Sequence, residues 1–536
     1  MILIDFFLEN LHFALNIFVA FVFFAVAWLY LDAWMQTKRR KELPKILGFI
    51  VLSLSFLVHS TQIEQVAFVS SILDQDLAEL ASNILRVVGY FLLIVGLIID
   101  PIQKKPVYEN GQVQDNSKHF AFLPIQSSLG IFWYILTPIL SFGVFLLFLR
   151  RSTKGLEKHL RPLTAGFFFI FLYELVSLSG ILEGTTSISI YQLIKPLGPV
   201  WIIAHLLLLI GIIIIAKWVF GYLLKRIQTQ FFMILNFMVL VIFLVTTVSF
   251  TTLLLTSLRD SAISHLATDV KVVSYAISAK QEETLSDSEV VAQNPEIVTA
   301  LTNGDTRTLK DLSTSILIAK RQSYLIILDS GGQVLARGEN SEKSGDSMSS
   351  DSLFQKAING EKTSSVVVKE GPLSPIVSIR SSSPVGSTAG QLGVVIVGTD
   401  IDNAFVDGLK NSTGLDVAVY GGNILSATTF TGPDGKSRFV GIKEDDEKIH
   451  KFVLNEGEIY SGESSILNTP YFVSFAPLKD NNGNNVGMIF AGEEASSLLR
   501  TTSKALEFTF AITALLILLS IIPSFLISRY ITRQFR

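Results

Sequence analysis

Eight long apolar stretches constrain this chain more than any other feature of its sequence. They cover roughly residues 11–31, 46–66, 83–102, 128–149, 163–183, 198–217, 230–256 and 506–528. A bilayer core about 30 Å thick is crossed by about 20 mostly apolar helical residues, so the pattern predicts eight spans. The second is the weakest, because His59, Gln62 and Glu64 interrupt its far half. A signal peptide does not fit, since residues 1–31 lack a basic start and further spans follow.

Composition divides the chain into two differently built parts. Only 17% of the residues are charged and the mean hydropathy is +0.48, whereas an ordinary soluble protein carries about 25% charge. Residues 258–505 hold 31 acidic and 22 basic side chains, against 15 and 21 elsewhere. The absence of cysteine excludes disulfides, thiolate metal sites and cysteine nucleophiles. We therefore predict a six-span module at 1–229, single spans at 230–257 and 506–528, and a polar domain at 258–505.

Basic residues in the short loops predict the orientation, because Lys and Arg are retained on the cytoplasmic side. Strict alternation of the spans places three basic segments on one side: 150–161, 217–226 and 529–536. That side is then the cytoplasm, and residues 258–505 are extracytoplasmic. One loop disagrees, because Lys38–Lys45 is equally basic and alternation puts it outside. Either one of the first three spans is misread, as in a re-entrant segment, or the later loops outweigh this one.

The polar domain carries signs of an internal duplication. Apolar residues recur at helical spacing from Leu258 to Ile277, and Asn294-Pro295 breaks that helix before a second helical run that ends near Arg321. Strand and turn patterns follow. Three landmarks then recur at a separation of roughly 90 residues: Gly331/Gly421, Pro384/Pro477 and Gly393/Gly487. The near-constant offset predicts two tandem α/β modules.

Motifs in this segment resemble, in order, those of the double-Cache sensor domains of bacterial and archaeal receptors. They are Val291–Pro295, Leu328–Leu335, Gly393–Asp402, Thr413–Asp416 and Pro470–Val473. The resemblance implies two PAS-like modules on a long helix, a membrane-distal one at about 322–402 and a membrane-proximal one at about 415–495. In that family the distal pocket usually binds a small ligand. The expected fold class is a multi-domain membrane protein, with an N-terminal α-helical membrane bundle plus an extracytoplasmic α/β double-Cache domain.

The last residues, Ile527–Arg533, resemble the helix that leads into a HAMP linker, expected at 529–536. The sequence contains no phosphoacceptor-histidine motif, ATP-binding glycine box, diguanylate-cyclase signature or methyl-accepting coiled coil. We expect no enzyme activity in these residues. An output domain of the histidine kinase, diguanylate cyclase or chemoreceptor kind is expected on a longer parent protein or on a partner. The first six spans resemble, more weakly, the input modules of some sensor kinases.

Four residues are candidates for ligand binding in the distal module: Asp400, Arg380, Tyr324 and Phe354. Asp400 matches the amine-binding aspartate that the resemblance implies, but an aspartate ending a strand is also a common turn cap. Arg380 binds an anion if it faces inward and is solvated if it faces outward, which strand alternation allows equally. Tyr324 and Phe354 either line the pocket or pack in the core. The Arg-x-Trp-Tyr stretch of amino-acid-binding relatives is replaced by 351–354, which disfavours an amino-acid ligand.

Two ionisable residues stand within apolar stretches, where charge is costly and often functional. Glu174 and His205 lie within one helical turn of the same depth, so a Glu–His pair is expected, with a proton- or ligand-sensing role or a purely structural one. The other histidines show no ligand spacing, and we predict no metal and no cofactor. No catalytic constellation is found.

The sequence thus predicts a transmembrane receptor of the bacterial cytoplasmic (inner) membrane. Its expected partners are a small-molecule ligand, the lipid bilayer, a second copy in a homodimer and a cytoplasmic output domain; no nucleic acid is expected. One rival is a transporter or channel whose outer domain captures substrate, although broken helices and midplane polar rows are sparse. In a second alternative the six-span module is the actual sensor. An ectoenzyme is opposed by the missing catalytic groups.

Overall fold

The computed structural model describes residues 2–64, 75–100, 129–155, 157–182, 188–387, 390–432, 435–467 and 469–534. They form two compact units, Met1–Thr256 with Leu498–Arg536 and Ser257–Ser497. We call these the helical unit and the sheet unit. The helices are α1 Ile2–Thr37, α2 Leu43–His59, α3 Gln75–Ile99, α4 Leu129–Lys154, α5 Arg161–Ser177, α6 Ile188–Ile194, α7 Pro199–Leu223, α8 Ile227–Ala292, α9 Pro295–Asn303, α10 Thr306–Lys320, α11 Ser352–Ile358, α12 Asn403–Thr413, α13 Glu447–Ile449 and α14 Ala495–Gln534.

Eight helices in the described part of the chain are long and apolar enough to cross a membrane. Each overlaps one of the eight predicted stretches, so the helical membrane region is confirmed. The second stretch is shorter than predicted, because α2 ends at His59 and residues 60–64 are not helical. The hydroxyls of Ser60 and Thr61 donate to the carbonyls of Leu57 and Val58 at 2.7 and 2.8 Å. These hydrogen bonds from polar side chains satisfy carbonyls in the last turn of α2, so the helix ends at His59.

The basic segments of the helical unit lie at one end of it. Asp100, which follows α3, binds Lys45 at the start of α2 at 2.9 Å and Arg151 at the end of α4 at 3.2 Å. The ends of α3 and α4 therefore meet, and these two neighbouring helices run in the same direction. Strict alternation of the spans, assumed from the sequence, is wrong at this point. The basic loop 38–45 lies with segment 150–161, as the positive-inside rule expects; residues 101–128 lie outside the described part.

The helices of this unit pack closely through glycine and aromatic contacts. A Cβ on Gly166 of α5 would lie 3.0 Å from the carbonyl of Gly211 on α7, so small residues permit this approach. Phe13 of α1 stacks on Phe510 of α14 with ring centroids 4.2 Å apart. The hydroxyl of Thr247 on α8 lies 2.8 Å from that of Thr513 on α14. The last helix is thus held against both α1 and α8.

The sheet unit contains two antiparallel sheets with the same strand order. Their orders are β2-β1-β5-β4-β3 and β7-β6-β10-β9-β8. This equivalence confirms the duplication expected from the repeated landmarks. The strands are β1 Tyr324–Asp329, β2 Val334–Arg337, β3 Thr363–Lys369, β4 Ile376–Ser387, β5 Gly390–Asp400, β6 Asp416–Gly421, β7 Ile424–Thr428, β8 Tyr460–Ile466, β9 Thr469–Lys479 and β10 Asn485–Glu494.

The repeated glycines have a physical reason. A Cβ on Gly393 of β5 would collide with the carbonyl of Leu328 on β1, and one on Gly487 of β10 would collide with that of Tyr420 on β6. The register also shifts at equivalent points, between Ile327 and Leu328 in one sheet and at Tyr420 in the other. Each module therefore needs a glycine where its strand passes a bulged neighbour.

The first sheet separates two apolar cores. One face packs on the end of α8 and on α9 and α10 through residues that include Ala292, Ile297, Leu325 and Val395. Asn294 caps α9 by accepting from the Glu296 amide, with Pro295 in the first turn, so the predicted helix break is confirmed. The opposite face, which we call the α11 face, packs on α11 through residues that include Ile326, Phe354 and Ile396.

Candidate functional site

Three predicted site residues meet at one end of the α11 face. Register pairs Arg380 of β4 with Gly398 of β5, and Gly398 with Tyr324 of β1. Because Gly398 has no side chain, Arg380 reaches across it and lies over the Tyr324 ring, 4.0 Å from guanidinium carbon to ring centroid. A Cβ on Gly398 would lie 2.9 Å from Arg380 Cγ and 3.2 Å from the Tyr324 ring. The glycine is what allows the stack.

Arg380 faces inward, which resolves the ambiguity that alternation leaves. Only 4% of its surface is exposed, and its Nε donates to Ser378 Oγ at 3.1 Å. No carboxylate among the described residues forms an ion pair with it. Arg337, also on this sheet and nearly as buried, differs, because it donates to both oxygens of Asp346 at 2.6 and 2.8 Å. A buried guanidinium without a counterion is unusual, since burying a charge is costly unless it is paired.

Asp400 lies on the same face, two residues along β5 from Gly398, the residue that is paired with Arg380. Ser378 pairs with Asp400 across the ladder, and the Asp400 amide donates a hydrogen bond to the Ser323 hydroxyl at 3.0 Å. Its Oδ1 is buried and accepts no hydrogen bond from any described residue. Burial raises the pKa of Tyr324, and the neighbouring Asp400 raises it further. A cation and an anion therefore lie on one face of the sheet without forming an ion pair.

A second cation strengthens the positive character of this face. Lys369 ends β3 opposite Ile376, so it shares a face with Ser378 and Arg380. Burial lowers the pKa of Lys369, and the charge of Arg380 lowers it further. Phe354, the fourth candidate, is 5% exposed on α11 and packs in the apolar core of this face. The structure brings Arg380, Tyr324 and Asp400 together and places Phe354 in the core below α11.

The second sheet carries a cavity of about 450 Å³. Its lining includes the aromatic residues Tyr420 and Phe430, the acidic residues Glu444, Asp445 and Asp446, which we call the mouth residues, and the basic Lys443. Burial raises the pKa of Glu444. In the sequence, residues 444–447 are a charge run that is typical of a solvated loop. The aromatic lining comes from Tyr420 on β6 and Phe430 after β7, and these residues form a cavity with the charge run only once the module folds.

Glu174 and His205 do not pair in the part of the chain that the structure describes. Glu174 of α5 accepts from the Tyr90 hydroxyl at 2.8 Å and lies 3.6 Å from Arg86 of α3. His205 of α7 instead contacts His12 of α1, with ring nitrogens 2.9 Å apart. The position of a residue along its helix says nothing about which helix faces meet. Arg86 is the buried partner that this reasoning missed.

Comparison with known proteins finds a family-model match in the second half of the sheet unit. Residues 398–505 match the family model described as single cache domain 3. No curated protein matches the chain. Structural neighbours include the sensor domain of the Vibrio cholerae histidine kinase DctB, with 14% identity, coverage of 44% of this chain and 98% of that one, and a TM-score of 0.33.

Two further neighbours have similar coverage. The periplasmic domain of Vibrio cholerae LuxQ is 12% identical and covers 44% of this chain and 99% of its own, with a TM-score of 0.29. The ligand-binding domain of the Campylobacter jejuni chemoreceptor Tlp3, in complex with 4-methylisoleucine, is 14% identical and covers 45% and 94%, with a TM-score of 0.31.

Proposed function

We propose that this chain, in which a helical region of membrane-spanning composition accompanies a Cache sensor domain, is a transmembrane receptor for an anionic small molecule. The family match at 398–505 and the paired sheets support a sensing role. The clustering of basic segments at one end of the helical unit supports a cytoplasmic location for that end. Residues 258–505 are then extracytoplasmic, and the protein resides in a bacterial inner membrane.

One observation carries the ligand assignment: Arg380 is buried on the α11 face without a carboxylate partner. A ligand carboxylate supplies the missing counterion, and a guanidinium can donate to both of its oxygens. The unsatisfied Oδ1 of Asp400 can accept from an ammonium or hydroxyl group on the same molecule. The favoured ligand is therefore a small carboxylate with a donor group beside it.

Signal relay is proposed to follow α8 and α14. Within the sheet unit, α8 contacts the distal module through Ser288 and Ser383, whose hydroxyls lie 2.6 Å apart. It contacts the proximal module through Arg259, whose Nε donates to Glu463 at 2.5 Å. Ligand binding can shift a helix only by its difference in affinity for two packing states. The shift would pass to a HAMP linker and an output domain, in a homodimeric receptor.

The test is a thermal-shift screen of the purified full-length chain against amino acids, organic acids, amines and purines. Occupancy at 100 times the dissociation constant adds about 2.7 kcal/mol of stability. We expect a stabilising carboxylate whose effect is lost in Arg380→Met. The matched control is Arg438→Met, which removes an arginine bound to Asp407 in the other module. The proposal fails if every hit survives Arg380→Met.

The cavity of the second sheet supports a second candidate. Its three acidic mouth residues and its aromatic walls suit a cationic ligand. A screen hit that is an amine, is unaffected by Arg380→Met and is lost in Glu444→Gln would move the sensing site to this module.

A further inference from the structure

We propose that the helical unit holds a divalent transition-metal ion between His12, His59, His205 and Glu64. His12 lies on α1, His59 at the end of α2, Glu64 in the segment after α2, and His205 on α7. The Nδ1 atom of fully buried His12 lies 2.9 Å from His205 Nε2 and 3.5 Å from Glu64 Oε1. Ligand atoms of His12, His59 and Glu64 all lie within 4.8 Å of one another. Three of the seven histidines of the chain thus meet at one point.

The oxygen acceptors around the cluster favour one tautomer of each histidine ring. His12 Nε2 faces the His59 carbonyl at 3.2 Å. His205 Nδ1 faces the Trp201 carbonyl at 3.0 Å, and His59 Nδ1 faces Gln62 Oε1 at 2.6 Å. An oxygen acceptor requires an N–H opposite it. Each neutral ring therefore turns its unprotonated nitrogen away from these oxygens, which is the arrangement of histidines that bind metals.

This assignment leaves two lone pairs facing each other. With their hydrogens on the outer nitrogens, His12 Nδ1 and His205 Nε2 meet at 2.9 Å with no hydrogen between them. The side-chain amide of Asn16 also faces His12 Nδ1 at 3.2 Å, and a cation bound by both ring nitrogens would remove the repulsion between their lone pairs. In a tetrahedral zinc site with bonds of about 2.0–2.1 Å, neighbouring ligand atoms lie about 3.3 Å apart. The distances of 2.9 and 3.5 Å from His12 Nδ1 lie on either side of this value.

The donor set and its charge indicate the class of ion. Imidazole nitrogens with one carboxylate suit Zn²⁺, Co²⁺, Ni²⁺ or Cu²⁺ rather than an oxygen-seeking ion such as Mg²⁺. A second buried carboxylate lies beside the cluster, because Glu9 Oε2 accepts from the Glu64 amide at 3.3 Å. A divalent ion offsets the charge of the Glu64 carboxylate in surroundings where charge is otherwise costly. This gives the helical unit a ligand of its own, independent of the anion site.

The test uses the full-length chain, purified through a histidine-free tag, stripped with a chelator and titrated with Co²⁺ or Cu²⁺. Trp201 stacks on His205 with ring centroids 3.6 Å apart, so a bound paramagnetic ion quenches tryptophan fluorescence. We expect one ion per chain, tetrahedral Co²⁺ absorption bands, and quenching that is lost in His12→Gln. The matched control His265→Gln, an exposed histidine on α8, binds like wild type.

A conservative variant guards against loss of the fold. Gln62→Ala leaves every ligand in place and removes only the group that orients His59, so affinity falls by about 10–100-fold. Its metal-free thermal midpoint should match that of wild type. The proposal is overturned if wild type binds no more Co²⁺ than His12→Gln does, or if Co²⁺ stays octahedral. That result would assign the His12–His205 contact to a shared proton.

Discussion

The two buried arginines of the first sheet provide a comparison that separates a binding residue from a structural one. Arg337→Met breaks two charged hydrogen bonds to Asp346, whose side chain is 46% exposed. Charged hydrogen bonds contribute about 1.5–3 kcal/mol when buried. Because Asp346 is partly exposed, we expect Arg337→Met to lower the free energy of unfolding by about 1–2 kcal/mol.

Arg380→Met has the opposite expectation. It removes a desolvated cation that has no counterion, and it loses the stack on Tyr324 and the hydrogen bond to Ser378. A cation–π contact of this kind contributes about 0.5–2 kcal/mol, and relief of the buried charge offsets it. The ligand-free stability of the sheet unit should therefore change by less than about 1 kcal/mol in either direction.

Hydrogen exchange of the β5 amides, read by mass spectrometry, measures the opening free energy of this unit. Intrinsic fluorescence is unsuitable, because all five tryptophans precede residue 230. If Arg380→Met destabilises β5 as much as Arg337→Met does, then Arg380 is structural and the argument from its missing partner is refuted.

Three further predictions follow from single contacts. Gly398→Ala should lower the free energy of unfolding by about 1–3 kcal/mol, because the added methyl group overpacks the space between Arg380 and Tyr324, and it should weaken ligand binding. The control is Gly408→Ala on α12, where a Cβ meets nothing within 4 Å. It should be neutral or stabilising in the same exchange assay. Arg337 lowers the pKa of the Asp346 carboxyl to about 2. The ion pair therefore stabilises the fold fully above the unfolded pKa near 4, and this stabilisation is lost as the pH falls through about 2. Acid unfolding of Asp346→Asn should lack this pH-dependent loss. Glu174→Met should lower the thermal midpoint of the helical unit, because Arg86 is left buried without its carboxylate partner. Adding Arg86→Met should restore the midpoint. Equal midpoints for the single and the double variant would contradict this prediction.

The sequence predicted features that depend on local pattern. Eight apolar stretches and the repeated glycines at 393 and 487 were readable, because span length and strand bulges leave periodic signatures. The direction of α4 was not readable, since alternation is an assumption about connections rather than a property of the residues. The prediction that the second stretch is helical throughout is wrong for a local reason, because the polar residues after His59 end the helix.

Side-chain pairing was beyond the sequence for a geometric reason. A strand residue points to one of two faces with equal local support, so the inward orientation of Arg380 depended on Gly398 in a neighbouring strand. Glu174 and His205 were expected to pair, yet their side chains contact different helices. The histidine cluster joins residues nearly 200 positions apart, and no spacing rule connects them.

The most direct test of the receptor assignment is ligand-induced hydrogen-exchange protection in the full-length chain, measured with a panel of small mono- and dicarboxylates. The account predicts that one of them slows exchange in β4 and β5 around Arg380 and Asp400, and that Arg380→Met abolishes the protection. Protection confined to the cavity of the second sheet, or unchanged protection in Arg380→Met, would contradict it.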